Sequence, residues 1–275
     1  MVAPNQDREP GSYIIRGGNA GAARLHVLGR ATRQGSMDLI DRAGLVPGMR
    51  VLDLGCGSGD ITVELARRVG PSDRVVGIDR DAHALAQARA IAQAVGLSID
   101  WRQGQVEDLD QEGVFDLVYA RFLLSHLSDP AAVLKRIRKA LKPSGRIVIE
   151  DIDISVHAHW PPCPSFERYM ALYAATARAR GANPRIGPSL AALLIDAGFK
   201  EVEVSISMPV FRTGEGKSIA RLTLANIAEA AIATGLAQAA EIKALASDLA
   251  RHEADPRSIQ STAQIFQVIG LGPTT

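Results

Sequence analysis

The chain has 275 residues, 47% of them hydrophobic and 22% charged, enough apolar material to bury a sizeable core in one large α/β domain. Its 31 basic and 30 acidic residues are interspersed and leave a formal net charge of +1, so no field steers it to nucleic acid or to an anionic membrane. The two cysteines, Cys56 and Cys163, make neither a disulfide framework nor a metal-ligand cluster, and neither a secretory signal pattern nor a bilayer-length apolar run is visible. The expectation is a cytoplasmic protein with no metal and with neither nucleic acid nor membrane as partner.

The first dozen residues are polar, carry Pro4, Pro10 and Gly11, and are expected to stay disordered unless a substrate orders them. Arg16-Gly17-Gly18-Asn19 is a turn, and a helix from Ala20 to about Ala43 follows with an interrupted apolar face of Leu25, Val27, Leu28, Met37, Leu39 and Ile40. Next comes Val51-Leu52-Asp53-Leu54-Gly55-Cys56-Gly57-Ser58-Gly59-Asp60, an apolar strand running into a glycine loop that opens a helix. Glycine lets the backbone turn sharply and approach a ligand closely, which marks a nucleotide-type pocket. A dinucleotide fingerprint would need glycine where this chain has Asp60, whose carboxylate would repel a pyrophosphate at the helix end. The loop therefore favours an adenosine ligand without phosphate.

Strands alternate with helices up to residue 152: strands near 50–54, 74–79, 98–103, 114–119 and 145–151, helices near 59–69, 82–95 and 130–142. The last helix is well marked, since Asp129 can cap it, Pro130 suits its first turn, and Pro143-Ser144-Gly145 ends it. Such alternation implies a parallel sheet with ligands at the carboxyl ends of its strands. Past 152, a loop at His157 to Pro164 precedes helices over 165–180 and 187–198. A strand over 201–208 with Val202, Val204 and Ile206 on one face comes next, then an alanine-rich helical pair over 217–235 and 236–252, and a final strand over 261–269. The pair would cap the pocket or offer a homodimer face.

The ordered set of segments resembles the class I S-adenosylmethionine-dependent methyltransferases, nearest the ubiquinone/menaquinone-biosynthesis type. The glycine loop matches the first motif, Arg74 to Asp79 the second strand with its terminal acid, and Gly104 to Leu109 the adenine-reading segment. Val114 to Arg121 and Leu141 to Glu150 match the fourth and fifth strands. The resemblance covers roughly residues 45–152. It implies a Rossmann-like, seven-stranded, mostly parallel sheet with helices on both faces, a final antiparallel strand and a helical cap over the pocket. Residues 1–44 would be an N-terminal segment and lid helix, and residues 45–275 the methyltransferase domain, with cap insertions near 153–185 and 215–254.

S-adenosyl-L-methionine is the implied cofactor and a small organic, natural-product or lipid-like molecule the implied acceptor. Asp53 would orient the loop or the ammonium group, and Gly55 and Gly57 would let the methionine portion lie against backbone. Asp79, with Arg80 beside it, would bind the ribose; Gln105, in place of the family's usual Asp, and Val106 would meet the adenine; Ala120 or Arg121 would contact the methionine end. Arg121 pairing with an acid of the cap is an equal alternative. Displacement at a sulfonium methyl depends chiefly on placing the acceptor atom close and in line, and a base helps where the acceptor must lose a proton. His126, after the fourth strand, and His157 and His159, after the fifth, are the candidate bases, with structural packing the competing reading for His126 and a solvated or cap-lining role for His157 and His159. Tyr13, Tyr169 and Tyr173 would line the acceptor pocket or, for the last two, pack as one helix face. Cys56 is expected to fill space between strand and helix. The competing functional class is an adenosylmethionine-binding protein that does not methylate, cyclase-like or non-catalytic.

Overall fold

A computed structural model describes residues 18–70 and 74–273. The polar leader and Tyr13 lie outside the described residues. Helix α1 (Gly18–Arg42) precedes a run of alternating elements: β1 (Val51–Leu54), α2 (Asp60–Val69), β2 (Val75–Asp79), α3 (Ala82–Ala94), β3 (Asp100–Gln103), β4 (Phe115–Arg121), α4 (Pro130–Ala140) and β5 (Leu141–Asp153). Asp129 caps α4 by accepting from the Ala132 amide at 2.9 Å, with Pro130 in the first turn, as the sequence implied.

After β5 come β6 (His159–Trp160), α5 (Pro164–Ala179), α6 (Leu190–Asp196), β7 (Lys200–Ser207), β8 (Val210–Phe211), α7 (Ile219–Ala233), α8 (Ala239–Ala254), β9 (Ile259–Ser261) and β10 (Gln264–Leu271). The seven-stranded sheet has the order β3-β2-β1-β4-β5-β10-β7, with β10 antiparallel to both neighbours and β1 to β5 parallel. One face packs Leu39 and Ile40 of α1 and Leu65 of α2 against Val51, Val75, Leu117 and Val148. The other packs Leu134 and Ile137 of α4 and Leu190 and Leu194 of α6 against Leu52, Val118, Ile147 and Ile149. The inner parallel strands β1, β2 and β4 are buried on both faces, which is why they read as continuous apolar runs, whereas β3, at the sheet edge, is only partly buried.

Three boundaries differ from the sequence expectation. β5 begins at Leu141, directly after α4, because residues 142–145 form a bulge inside the strand: Phe115 pairs with Leu141 but Leu117 with Arg146. The bulge is fixed by Lys142 Nζ on Asp116 (2.8 Å) and by the Ser144 amide, at φ +60°, donating to Pro273 O (2.7 Å). The expected last strand is split at Thr262-Ala263 into β9 and β10, and β9 joins β6 and β8 in a small antiparallel sheet of order β6-β9-β8. Strands two or three residues long carry no alternation to detect. On β7 only Val202 reaches the core; Val204 and Ile206 are each 51% exposed because β7 is the sheet edge and seven-residue α6 is too short to cover it.

The cap has its own core. Phe166, Tyr169, Leu172 and Tyr173 of α5 pack against Leu224, Ile227 and Ala231 of α7 and Leu245 and Leu249 of α8. Most large apolar side chains of the alanine-rich pair are thus packed within the chain, while Ile232 of α7 stays 41% exposed. Among the described residues no helix is long and apolar enough to cross a membrane.

Candidate functional site

The loop between β1 and α2 forms as its glycines require. Gly55, Gly57 and Gly59 all hold positive φ (75°, 53° and 77°), and a Cβ on Gly57 would meet nothing within 4 Å, so this backbone faces open space. A Cβ on Gly59 would instead lie 2.5 Å from the Trp101 ring. Asp79, at the end of β2, ties the loop down: its Oδ2 accepts from the Gly57 amide at 2.8 Å and its Oδ1 from the Asp81 amide at 2.9 Å. Asp53 is buried under the loop and accepts from Thr62 Oγ1 at 2.6 Å; burial raises its pKa to about 7 against the opposing Thr62 hydrogen bond. Burial also pushes the Cys56 thiol well up, in keeping with a packing role.

Two cavities meet here. The first is lined by Asp53, Gly55, Gly57, Ser58, Asp60 and Arg121. The second is lined by Arg24, His126, His157, Tyr169, Tyr173 and Thr223 amid Ile152, Ile154, Ile219 and Ile265. Leu25, Leu28 and Phe122 belong to both linings and form the wall between them. Phe122 directly follows β4 and holds φ +53°, an unfavourable conformation for a bulky residue. Its amide donates to Glu150 O at 2.8 Å and the Arg121 guanidinium lies 5.5 Å from its ring centroid.

Arg121 pairs with no acid of the cap among the described residues. Its Nη2 donates to Asp60 Oδ2 at 2.7 Å and its Nη1 to Thr32 Oγ1 at 3.1 Å, so it clasps the first turn of α2 to α1 and not to the cap. Burial works against this charge, but Asp60, Tyr119 and Glu150 raise its pKa overall. Asp60 is therefore charge-matched. Gly29 of α1 lies so close to the first turn of α2 that a Cβ there would sit 2.5 Å from Asp60 Oδ2. A second polar clasp, in which Tyr119 Oη donates to Glu150, Gln267 Nε2 to Glu150 Oε2 (3.0 Å) and Gln267 Nε2 to Gly35 O (2.9 Å), holds the middle of α1. The sequence held no signal for either clasp, since each joins residues at least 31 positions apart.

The remaining sequence-selected residues fall into three groups. Asp79, Arg80 and Gln105 lie outside both cavity linings, at the carboxyl ends of β2 and β3, where the Gly104 amide donates to Asp79 O at 3.1 Å; Arg80 and Gln105 are exposed. Val106 and Ala120 are core residues, 7% and 0% exposed. Of the histidines, His126 and His157 line the second cavity and His159 does not. Burial, with Arg24 and Arg80 nearby, lowers the His126 pKa to about 4, and burial likewise lowers His157 to about 4 despite an interaction with the Ile154 backbone. His157 Nδ1 has no hydrogen-bond partner among the described residues. His159 stacks on Phe166 with ring centroids 4.7 Å apart, a packing role within the cap. Asp151 and Asp153 accept strand-end amides from Ser125, Ile152 and Ser155 at 2.9 Å. Tyr169 and Tyr173 are both packed and cavity-lining, so the two readings of them coincide.

A seven-stranded sheet in this order, with a glycine loop after its first strand and an acid closing the second, is the architecture of class I methyltransferases. A methyltransferase-domain family model matches residues 45–184, just over half of the chain, and the chain belongs to that family. Among curated relatives, a 2-phytyl-1,4-naphtoquinone methyltransferase of Synechococcus elongatus is 37% identical over 130 residues, 46% of this chain and 53% of that protein. An uncharacterized 37.1 kDa protein in transposon TN4556 of Streptomyces fradiae is 32% identical over 186 residues, 67% of this chain and 53% of that one. The chain thus spans about half the length of the curated relatives it matches. Among solved structures, a putative methyltransferase from Bacillus halodurans has TM-score 0.58 at 19% identity, over 86% of this chain and 98% of that one. The [4+2]-cyclase SpnF has TM-score 0.54 at 20% identity, over 88% and 81%.

Proposed function

We propose that this chain is an S-adenosylmethionine-dependent methyltransferase acting on a small, largely apolar organic acceptor. The observation that carries the reading is the pair of cavities divided only by Leu25, Leu28 and Phe122: a glycine cradle open to a ligand on one side, a chamber walled by isoleucines on the other. The cofactor supplies an electrophilic methyl group when bound. Gly55 and Gly57 hold its amino-acid end by backbone contact, and Asp53 and Arg121 order the walls of that cavity. Asp79, which keeps lone pairs beyond the two loop amides, receives the ribose hydroxyls on an open shelf beside Arg80 and Gln105. Val106 and Ala120 support this shelf from the core.

The acceptor enters the second chamber, and α1 and the cap exclude water around it. His157, which lines the chamber, is the favoured group to take an acceptor proton, with His126 second; His159, whose Nδ1 is likewise unpartnered among the described residues, lies outside that lining and supports Phe166. The cap draws on α1, on the segment after β5 and on α7 to β10, of which only the second lies within the family match, so acceptor identity is this chain's own. Balanced charge supports a dissolved metabolite, in the cytoplasm, over nucleic acid or a membrane surface. Titration calorimetry tests the cofactor: S-adenosylhomocysteine should bind with micromolar affinity and NAD should not. Transfer of labelled methyl from S-adenosylmethionine into a small-molecule extract tests the activity; cofactor binding with no transfer to any fraction would favour a non-methylating role.

A further inference from the structure

Arg24 is a charge placed inside an apolar chamber. It is 8% exposed, lies in α1, and lines the acceptor cavity with Leu25, Leu28, Ile154, Ile219 and Ile265. Among the described residues its one hydrogen-bond partner is neutral: Nε donates to Thr223 Oγ1 at 2.8 Å. The Thr223 hydroxyl in turn donates to Ile219 O at 2.7 Å, one turn back in α7, so its free lone pair is held toward the guanidinium. This arrangement fixes the plane of the guanidinium and leaves the Nη1 and Nη2 edge without a partner among the described residues. The nearby groups that ionise are poor counterions: burial raises the phenols of Tyr169, to about 12, and of Tyr173, and His126 is neutral at physiological pH.

Burying an unpaired cation is costly, and proteins that do so place the partner elsewhere. We propose that the partner arrives with the substrate: Arg24 is the receptor for a carboxylate on an otherwise apolar acceptor. This rests on the proposed methyltransferase reading and narrows its substrate class. The two Nη groups present parallel N–H donors spaced for the two oxygens of a carboxylate, a bidentate match that an alcohol or an amine cannot make. The isoleucine walls take the apolar body. Because Arg24 sits on α1 and Thr223 on α7, carboxylate capture also draws the N-terminal helix and the cap together.

The test uses the full chain saturated with S-adenosylhomocysteine and two probes of equal shape, 3-phenylpropanoate and 3-phenylpropan-1-ol, with affinities read by calorimetry. The intact protein should bind the acid at least tenfold more tightly than the alcohol. Arg24→Met should abolish that preference by weakening the acid at least tenfold, with the alcohol changed less than threefold, and Arg24→Lys should keep part of it. Without ligand, Arg24→Met should melt no lower than the parent, because an unpaired buried charge has been removed. No preference in the parent, an unchanged preference in Arg24→Met, or a Met variant that melts several degrees lower would each overturn the assignment. If S-adenosylhomocysteine itself does not bind the parent protein, it is the methyltransferase reading that fails.

Discussion

Replacing Asp79 with alanine separates its two roles, tying the loop and holding the ribose. In the free protein Asp79 accepts from the amides of Gly57 at 2.8 Å and Asp81 at 2.9 Å, and the site is only partly buried, so both amides can turn to water when the carboxylate is lost. The loop should loosen while the fold persists. With cofactor bound, two charge-assisted hydrogen bonds to the ribose disappear as well, at about 1–1.5 kcal/mol each in a half-solvated setting, which predicts an affinity loss of about 30- to 150-fold. The loop contribution is removed by comparison with a second ligand, the 2′,3′-dideoxy analogue of S-adenosylhomocysteine. Calorimetric Kd values for both ligands on both proteins form a double-mutant cycle. The parent should discriminate strongly between the ligands and Asp79→Ala should not. If the variant weakens both ligands by the same factor, Asp79 only shapes the loop and the ribose assignment is wrong.

Gly57→Ala and Gly59→Ala should fail differently. The first places a methyl in open space at φ +53° and should weaken S-adenosylhomocysteine at least tenfold with little change in melting temperature. The second meets Trp101 at 2.5 Å and should destabilise the fold by about 2 kcal/mol or more in urea melts. Asp60→Ala leaves Arg121 without its carboxylate partner, and should speed hydrogen exchange in α1 while adding Arg121→Met restores part of the protection; unchanged exchange in the single variant would discard the clasp. The depressed pKa of His157 means that it stays neutral in the native state while the unfolded chain takes up a proton below about pH 6.5, so its contribution to stability is lost as pH falls toward 4. The stability gap between parent and His157→Gln should accordingly narrow by about 3 kcal/mol between pH 7 and pH 4. Asp53 and Asp151, raised to about 7 and 6, work the opposite way over the same range, so only the difference between the two proteins shows the effect. If His157 is also the base, methyl transfer should stay level from pH 8 to about 5 and then fall, and a decline beginning near pH 6.5 would count against it.

What could be read from sequence is what local chemistry dictates. The glycine loop, the acid ending β2 and the cap on α4 each depend on residues within a few positions of one another, and all three are where the sequence put them. The sheet was legible because parallel strands buried on both faces leave long apolar runs. The bulge in β5 escaped because Pro143-Ser144-Gly145 reads as a helix end whether or not a strand has already begun; the pairing with Phe115 that decides it is 26 residues away in sequence. His159 could not be told from His157 because both follow β5 and both rings meet Phe166; only the tertiary position of the cavity, which His157 lines and His159 does not, separates them. Arg24 did carry a signal, a cation one turn before Leu28 on the helix face that the chain buries. Its meaning depended on α7, some two hundred residues later.

The shared core of the cap constrains how this protein can be altered. Its aromatic half comes from the segment between β5 and α6 and its aliphatic half from the segment between β7 and β10, and neither half encloses a core alone. The two excursions meet because β10 lies between β5 and β7, so both leave the sheet from neighbouring positions. A chimera that takes one excursion from a relative and keeps the other would pair mismatched surfaces and leave the chamber unformed. The cofactor loop, at the far side of β4, contributes nothing to that core, so exchanging both excursions together should alter the proposed acceptor chamber and leave the proposed adenosylmethionine cradle in place.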